Sequence, residues 1–158
     1  MIDPHARAMA AVPRVVLDTN VCLDLWLFGD PRAADLRAAL HAGGVLAVTD
    51  QACREEWLRV LHYPQLRLTD EVRAALTGQF DALVLQLPST ASSDMQTLPR
   101  CADPDDQKFL QLAHASGARW LVSRDGAVLA LARRALREGL FEIVTPQAWA
   151  PTALTPPH

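Results

Sequence analysis

Four acidic side chains in this sequence stand where carboxylates could be gathered for chemistry: Asp18, Glu56, Asp106 and Asp125. Asp18 directly follows the apolar run Val15-Val16-Leu17, and Asp125 comes two residues after the run Trp120-Leu121-Val122-Ser123. Taken singly, each is accounted for by an ordinary turn or cap, because Asp readily bonds nearby backbone. The other two are sorted by helical rotation, at about 100° per residue. On the helix expected over Asp50–Leu61, Glu56 falls at the edge of the apolar arc of Cys53, Trp57 and Val60. Glu55 points away, four residues before Arg59, and reads as a solvated i,i+4 ion pair. An inward Glu56 needs a partner, since an unpaired buried charge is costly. A metal, an Arg or a hydrogen-bond donor would serve.

Asp103-Pro104-Asp105-Asp106 opens a further helix. Asp103 is explained as an N-cap ahead of a first-turn Pro, and Asp105 by the favourable place of an acid in a first turn. Asp106 shares the arc of Phe109, Leu110 and Ala113; it either faces inward or reaches back to the cap. Converging, the four carboxylates would form a set of hard oxygen ligands without His or Cys, suited to Mg²⁺ or Mn²⁺ rather than zinc. Such a set needs divalent charge against its own repulsion, and its usual work is activating water for phosphodiester cleavage.

The remaining chemistry-bearing types point elsewhere. His5, His41, His62, His114 and His158 have no ligand spacing. Cys22, Cys53 and Cys101 are odd in number and lack a CxxC pair, which excludes a disulfide framework and a zinc site. Thr19 and Ser123 carry hydroxyls with no paired base visible in the sequence. Trp26, Trp57, Trp120 and Trp149 read as core, with Trp57, beside Glu56, the one candidate for stacking on a base. Gly43-Gly44 precedes a strand and reads as a helix C-cap. Arg54, Arg100 and Arg124 lie near the acids in sequence and are either solvated charges or phosphate contacts.

Short apolar runs alternating with helical patterns must position the acids. Strands are expected at Val15–Leu17, Val45–Thr49, Trp120–Ser123 and Phe141–Thr145. Helices are expected after Asp30-Pro31 and over Asp50–Leu61, Thr69–Leu87, Pro104–Ser116 and Gly126–Arg137. That alternation implies right-handed crossovers and a mainly parallel sheet covered on both faces, with its sites at the carboxyl ends of the strands. The 158 residues suffice for one domain. Half are hydrophobic and 21% charged, which supports a sizeable core and excludes disorder, collagen and coiled coil. A net charge of −3 argues against non-specific coating of nucleic acid, and Lys108 is the only Lys. The domain is expected over 14–149, between a flexible N-terminal tail at 1–13 and a Pro-rich tail at 150–158. No run approaches the roughly 18 apolar residues of a membrane span, and Met1–Pro13 does not read as a signal peptide. A soluble, cytoplasmic protein without membrane contact is the expectation.

With these residues in place, the sequence resembles PIN-domain proteins, most nearly the bacterial subgroup of toxin components of toxin–antitoxin systems. The resemblance is carried by Val15-Val16-Leu17-Asp18-Thr19-Asn20, by Glu56 with Leu58, Val60, Leu61 and Pro64, and by Cys101 through Leu110. Leu121-Val122-Ser123-Arg124-Asp125 and Val144-Thr145-Pro146 complete it. It implies a three-layer α/β/α domain with a central parallel sheet. It also implies an endoribonuclease that cleaves single-stranded RNA with Mg²⁺ or Mn²⁺, an antitoxin protein as partner and a homodimer. Residue by residue, it carries catalysis and metal ligation onto Asp18, Glu56, Asp106 and Asp125. Asn20 resembles the residue that supports the first Asp by hydrogen bonding, Ser123 stands where the family has Thr or Ser, and Asp103 supports as cap. The apolar segment Leu23, Leu25, Trp26, Leu27 and Phe28 would serve a dimer or antitoxin contact. One departure is Ala127, where relatives often carry a further Asp. It motivates the alternative of a degenerate PIN module that binds RNA or a protein partner without cleavage. A phosphoryl-transfer enzyme with Asp18 as nucleophile is disfavoured, because the residue two places on is Asn20 and not a second Asp.

Overall fold

The computed structural model describes residues 12–88 and 98–150. The tails expected at 1–13 and 150–158 lie outside the described residues apart from positions 12, 13 and 150. Five strands, β1 (Arg14–Leu17), β2 (Leu46–Thr49), β3 (Val84–Gln86), β4 (Trp120–Val122) and β5 (Glu142–Val144), form one sheet in the order β3-β2-β1-β4-β5. Every pairing is parallel. The chain builds outward from β1 through β2 to β3, then returns to the other side of β1 with β4 and β5. The order therefore reverses between β1 and β4, where a crevice opens at the strand ends.

Seven helices cover the sheet among the described residues: α1 (Thr19–Leu23), α2 (Ala34–Ala42), α3 (Gln51–Val60), α4 (Asp70–Leu83), α5 (Gln107–Ser116), α6 (Gly126–Leu129) and α7 (Ala132–Arg137). Strand alternation divides the core in two. Val15, Leu17, Ala47, Trp120 and Val122 face Val21, Leu36, Trp57, Phe80 and Trp149. Val16, Val48, Leu121 and Ile143 face Phe109, Leu110, Leu112, Val128 and Ala135. An uninterrupted apolar strand is what burial on both faces requires, so this is the three-layer α/β/α arrangement. Trp57 stacks on Phe80 with ring centroids 5.5 Å apart and Trp149 meets Trp120 edge-on, so these tryptophans belong to the core and not to a base-stacking platform.

Local signals hold at the caps. Asp30 accepts from the Arg32 N–H, Asp50 from Cys53 and Asp103 from Asp105, each ahead of its helical turn. Gly43 closes α2 at φ +80°, a conformation that suits a residue without Cβ. Two expectations need correction. The helix expected over Thr69–Leu87 ends at Leu83, and Val84–Gln86 is a strand paired to β2. Leu76, Phe80, Leu83 and Leu87 keep helical spacing, so periodicity could not locate the end; the open edge of β2 supplied the competing partners. The helix expected over Gly126–Arg137 is broken into α6 and α7. The apolar first helix also changes its hydrogen-bond spacing, running from α1 into a single π-type turn at Asp24–Phe28, which buries Leu25 and leaves Phe28 59% exposed.

Candidate active site

β1 and β4 are adjacent, with Leu17 opposite Val122, so the residues that follow them emerge side by side at the switch point. Asp18 is 3% exposed and accepts a hydrogen bond from the Ser123 hydroxyl at 2.7 Å. Ser123 is fully buried, and its Oγ in turn accepts from the Asp125 N–H at 3.0 Å. One serine therefore ties the first acid to the backbone that carries the last. Asp125 accepts from the Ala127 N–H at 2.8 Å as cap of α6. Burial pushes the Asp18 carboxyl above its ordinary value; the Ser123 bond and the backbone N–H of Asn20 oppose this, and the charges of Glu56 and Asp125 add to it. The Asn20 residue itself is exposed.

Asp106 completes the group from the turn that opens α5. It is 8% exposed, and its side chain makes no cap bond, so the inward alternative is the one realised. Oxygens of Asp103, Asp106 and Asp125 all lie within 4.8 Å of one another, the one such grouping among the described residues. Asp106 Oδ2 is buried without a hydrogen-bond partner. Its pKa is pushed up to about 7, chiefly by burial, then by the Asp18 charge and by a hydrogen bond with Asp125 that favours the protonated acid. Asp103 does two things: it caps Asp105 and it faces Asp106 and Asp125.

Glu56 faces inward from α3, as its helical phase implies, but its partners are protein groups. The Thr19 hydroxyl donates to its Oε2, and Lys108 Nζ lies 2.6 Å from its Oε1. Glu55 is exposed and accepts from Gln51 at 3.0 Å, so the partner expected at Arg59 is corrected to Gln51. The sequence marks Thr19 as a hydroxyl with no paired base and Lys108 as the only Lys, in the first turn of α5, but neither signal pairs them with Glu56. Arg54 binds Asp81 at 2.8–2.9 Å, and Arg124 binds the buried Asp24 at 2.6 and 3.1 Å, so both are engaged in ion pairs. Cys22, Cys53 and Cys101 are free thiols, all buried. Over Asp18, Glu56, Asp103 and Asp106 opens a cleft of about 440 Å³, within the range of ligand sites, with Tyr63 and Gln65 also lining it.

A carboxylate cluster with Asp18 and Asp106 buried, at the switch point of a parallel α/β/α sheet, is the framework of a hydrolytic metal site. The family model of the PIN domain matches residues 14–127, and the chain belongs to the PIN-domain family. PIN domains are generally nucleases, and they typically use divalent metals. A solved structure described as VapBC2 from Rickettsia felis bound to a DNA fragment from their promoter has the same fold. The similarity covers 82% of this chain and 96% of that one at a TM-score of 0.54 and 13% identity. A search of curated proteins finds no match. No helix among the described residues is long and apolar enough to cross a membrane.

Proposed function

We propose that this chain is a metal-dependent endoribonuclease acting on single-stranded RNA in the cytoplasm, the toxin of a two-gene toxin–antitoxin pair. One observation carries the reading. Asp106 has a buried oxygen with no partner, groups with Asp103 and Asp125 and shares a cleft with Asp18, and an orphaned buried carboxylate oxygen fits a cation. Asp18, Asp106 and Asp125 would hold Mg²⁺ or Mn²⁺, with Asp103 at their side and Glu56 closing the acidic set. When bound, such an ion acidifies water and offsets the charge of a phosphodiester. The chain's own part is orientation. Ser123 fixes Asp18, the α6 N-terminus fixes Asp125, and Thr19 with Lys108 fixes Glu56. The proposal of an antitoxin partner takes its support from the PIN-domain membership and from the VapBC2 assembly of the similar structure.

Incubating purified protein and Mn²⁺ with end-labelled single-stranded RNA tests the activity. Wild type and Glu55→Gln should cut alike, and Asp18→Asn and Asp106→Asn should not cut. Ala127, which offers no further carboxylate, favours the second reading, a module that binds RNA or a protein without cleavage. Retention of the RNA by wild type with no cleavage products would select it.

A further inference from the structure

We infer that this site takes one divalent ion per chain, on its aspartate side, because Lys108 stands where a second cation would sit, against Glu56. The inference rests on the metal-dependent reading above and deepens it. Each Glu56 oxygen is already engaged, Oε1 by the Lys108 ammonium at 2.6 Å and Oε2 by the Thr19 hydroxyl. The ammonium also donates to the Asp105 carbonyl at 2.8 Å, so it is held from α3 and from the turn that opens α5. Side-chain exposures of 20% for Lys108 and 16% for Glu56 leave the pair less screened than a surface ion pair. A divalent ion reaching Glu56 must displace that ammonium and strip it of its countercharge.

The aspartate side is the opposite case. Asp106 Oδ2 is buried and unpartnered, and the oxygens of Asp103, Asp106 and Asp125 converge with no cationic side chain bonded to Asp103, Asp106 or Asp125 among the described residues. The acidic set thus divides into a group that lacks a cation and a Glu56 that has one. A Lys suits the second role better than an Arg, because a compact ammonium is a point charge like a metal ion. In two-metal nucleases a second ion lies about 3.5–4 Å from the first and clamps the far side of the phosphate. Here the Lys108 ammonium supplies a single positive charge at Glu56.

The test is the stoichiometry of Mn²⁺ on the metal-stripped full-length chain at pH 7.5, by isothermal titration calorimetry with free Mn²⁺ counted by electron paramagnetic resonance. Wild type should bind one ion and Lys108→Met two. Glu56→Gln should still bind one, with affinity within about threefold of wild type. Two ions on wild type, or one on a folded Lys108→Met, would overturn the inference while leaving the metal-dependent reading intact. So would a loss of about tenfold or more in Glu56→Gln, equal to about 1.4 kcal/mol, which would make Glu56 a ligand of the first ion. No Mn²⁺ on wild type would instead overturn the metal-dependent reading itself. Should Lys108→Met not fold, wild type and Glu56→Gln decide the matter alone.

Discussion

Replacing Asp106 by Asn should make the metal-free protein more stable at pH 8, although the position is buried and belongs to the candidate site. The folded-state pKa of Asp106 stands at about 7 against an ordinary 3.8. A raised folded pKa means that the folded state holds a proton the unfolded state has released. This contribution to stability is fully present below about pH 4, declines as pH rises, and is lost once pH passes about 7. A shift of about 3 units corresponds to at most about 4 kcal/mol at 1.36 kcal/mol per unit. The share belonging to Asp106 alone is smaller, because part of the shift comes from the neighbouring Asp18 charge and the cleft admits water. Asn keeps the shape and removes the charge, so a gain of about 1–3 kcal/mol at pH 8 is expected, or roughly 3–12 °C in Tm for a domain of this size. The assay is a thermal melt in EDTA from pH 4 to pH 8 on wild type, Asp106→Asn and Glu55→Gln. The gain should vanish at pH 4, and Glu55→Gln should track wild type, since Glu55 is exposed. Saturating Mn²⁺ should close or reverse the gap at pH 8. An ion at about 100 times its Kd stabilises wild type by about 2.7 kcal/mol, and the variant gains little. An Asp106→Asn protein that melts at or below wild type at pH 8 without metal would refute the convergence of the acids.

Four further substitutions report on the framework. Ser123→Ala strands the buried Asp18 Oδ2 and the Asp125 N–H together; urea unfolding should show a loss of about 1–3 kcal/mol, and Mn²⁺ affinity should fall with it. Arg124→Ala leaves Asp24, whose side chain is 5% exposed, without its countercharge, at a cost of about 3–5 kcal/mol. Asp24→Asn in the same chain should recover most of that loss in the same unfolding assay. Leu121→Ala, at a fully buried position of the interior strand β4, should cost about 2–5 kcal/mol by denaturant titration and leave Mn²⁺ stoichiometry unchanged.

What the sequence determined by itself is what each residue owes to its own element. Rotation by about 100° per residue places Glu56 inward and Glu55 outward on one helix, because side-chain direction follows from backbone geometry alone. Local capping chemistry assigns Asp103 to its turn but leaves Asp106 either inward or reaching back to the cap, and the apolar Val15-Val16-Leu17 marks a strand buried on both faces with Asp18 at its end. Tertiary structure decided everything that depends on which elements lie next to which. Val84–Gln86 lies within helical spacing that continues to Leu87, and only the free edge of β2 made it a strand. Ser123 reaches Asp18 across 105 residues, Arg124 reaches Asp24 across 100 and Lys108 reaches Glu56 across 52. Those pairings follow from the β1–β4 register and from the packing of α3 against α5, which arise from shape and burial summed over the whole core. A side chain's own neighbours in sequence carry no record of that sum, so an inward Glu56 could be foreseen while the ammonium that meets it could not.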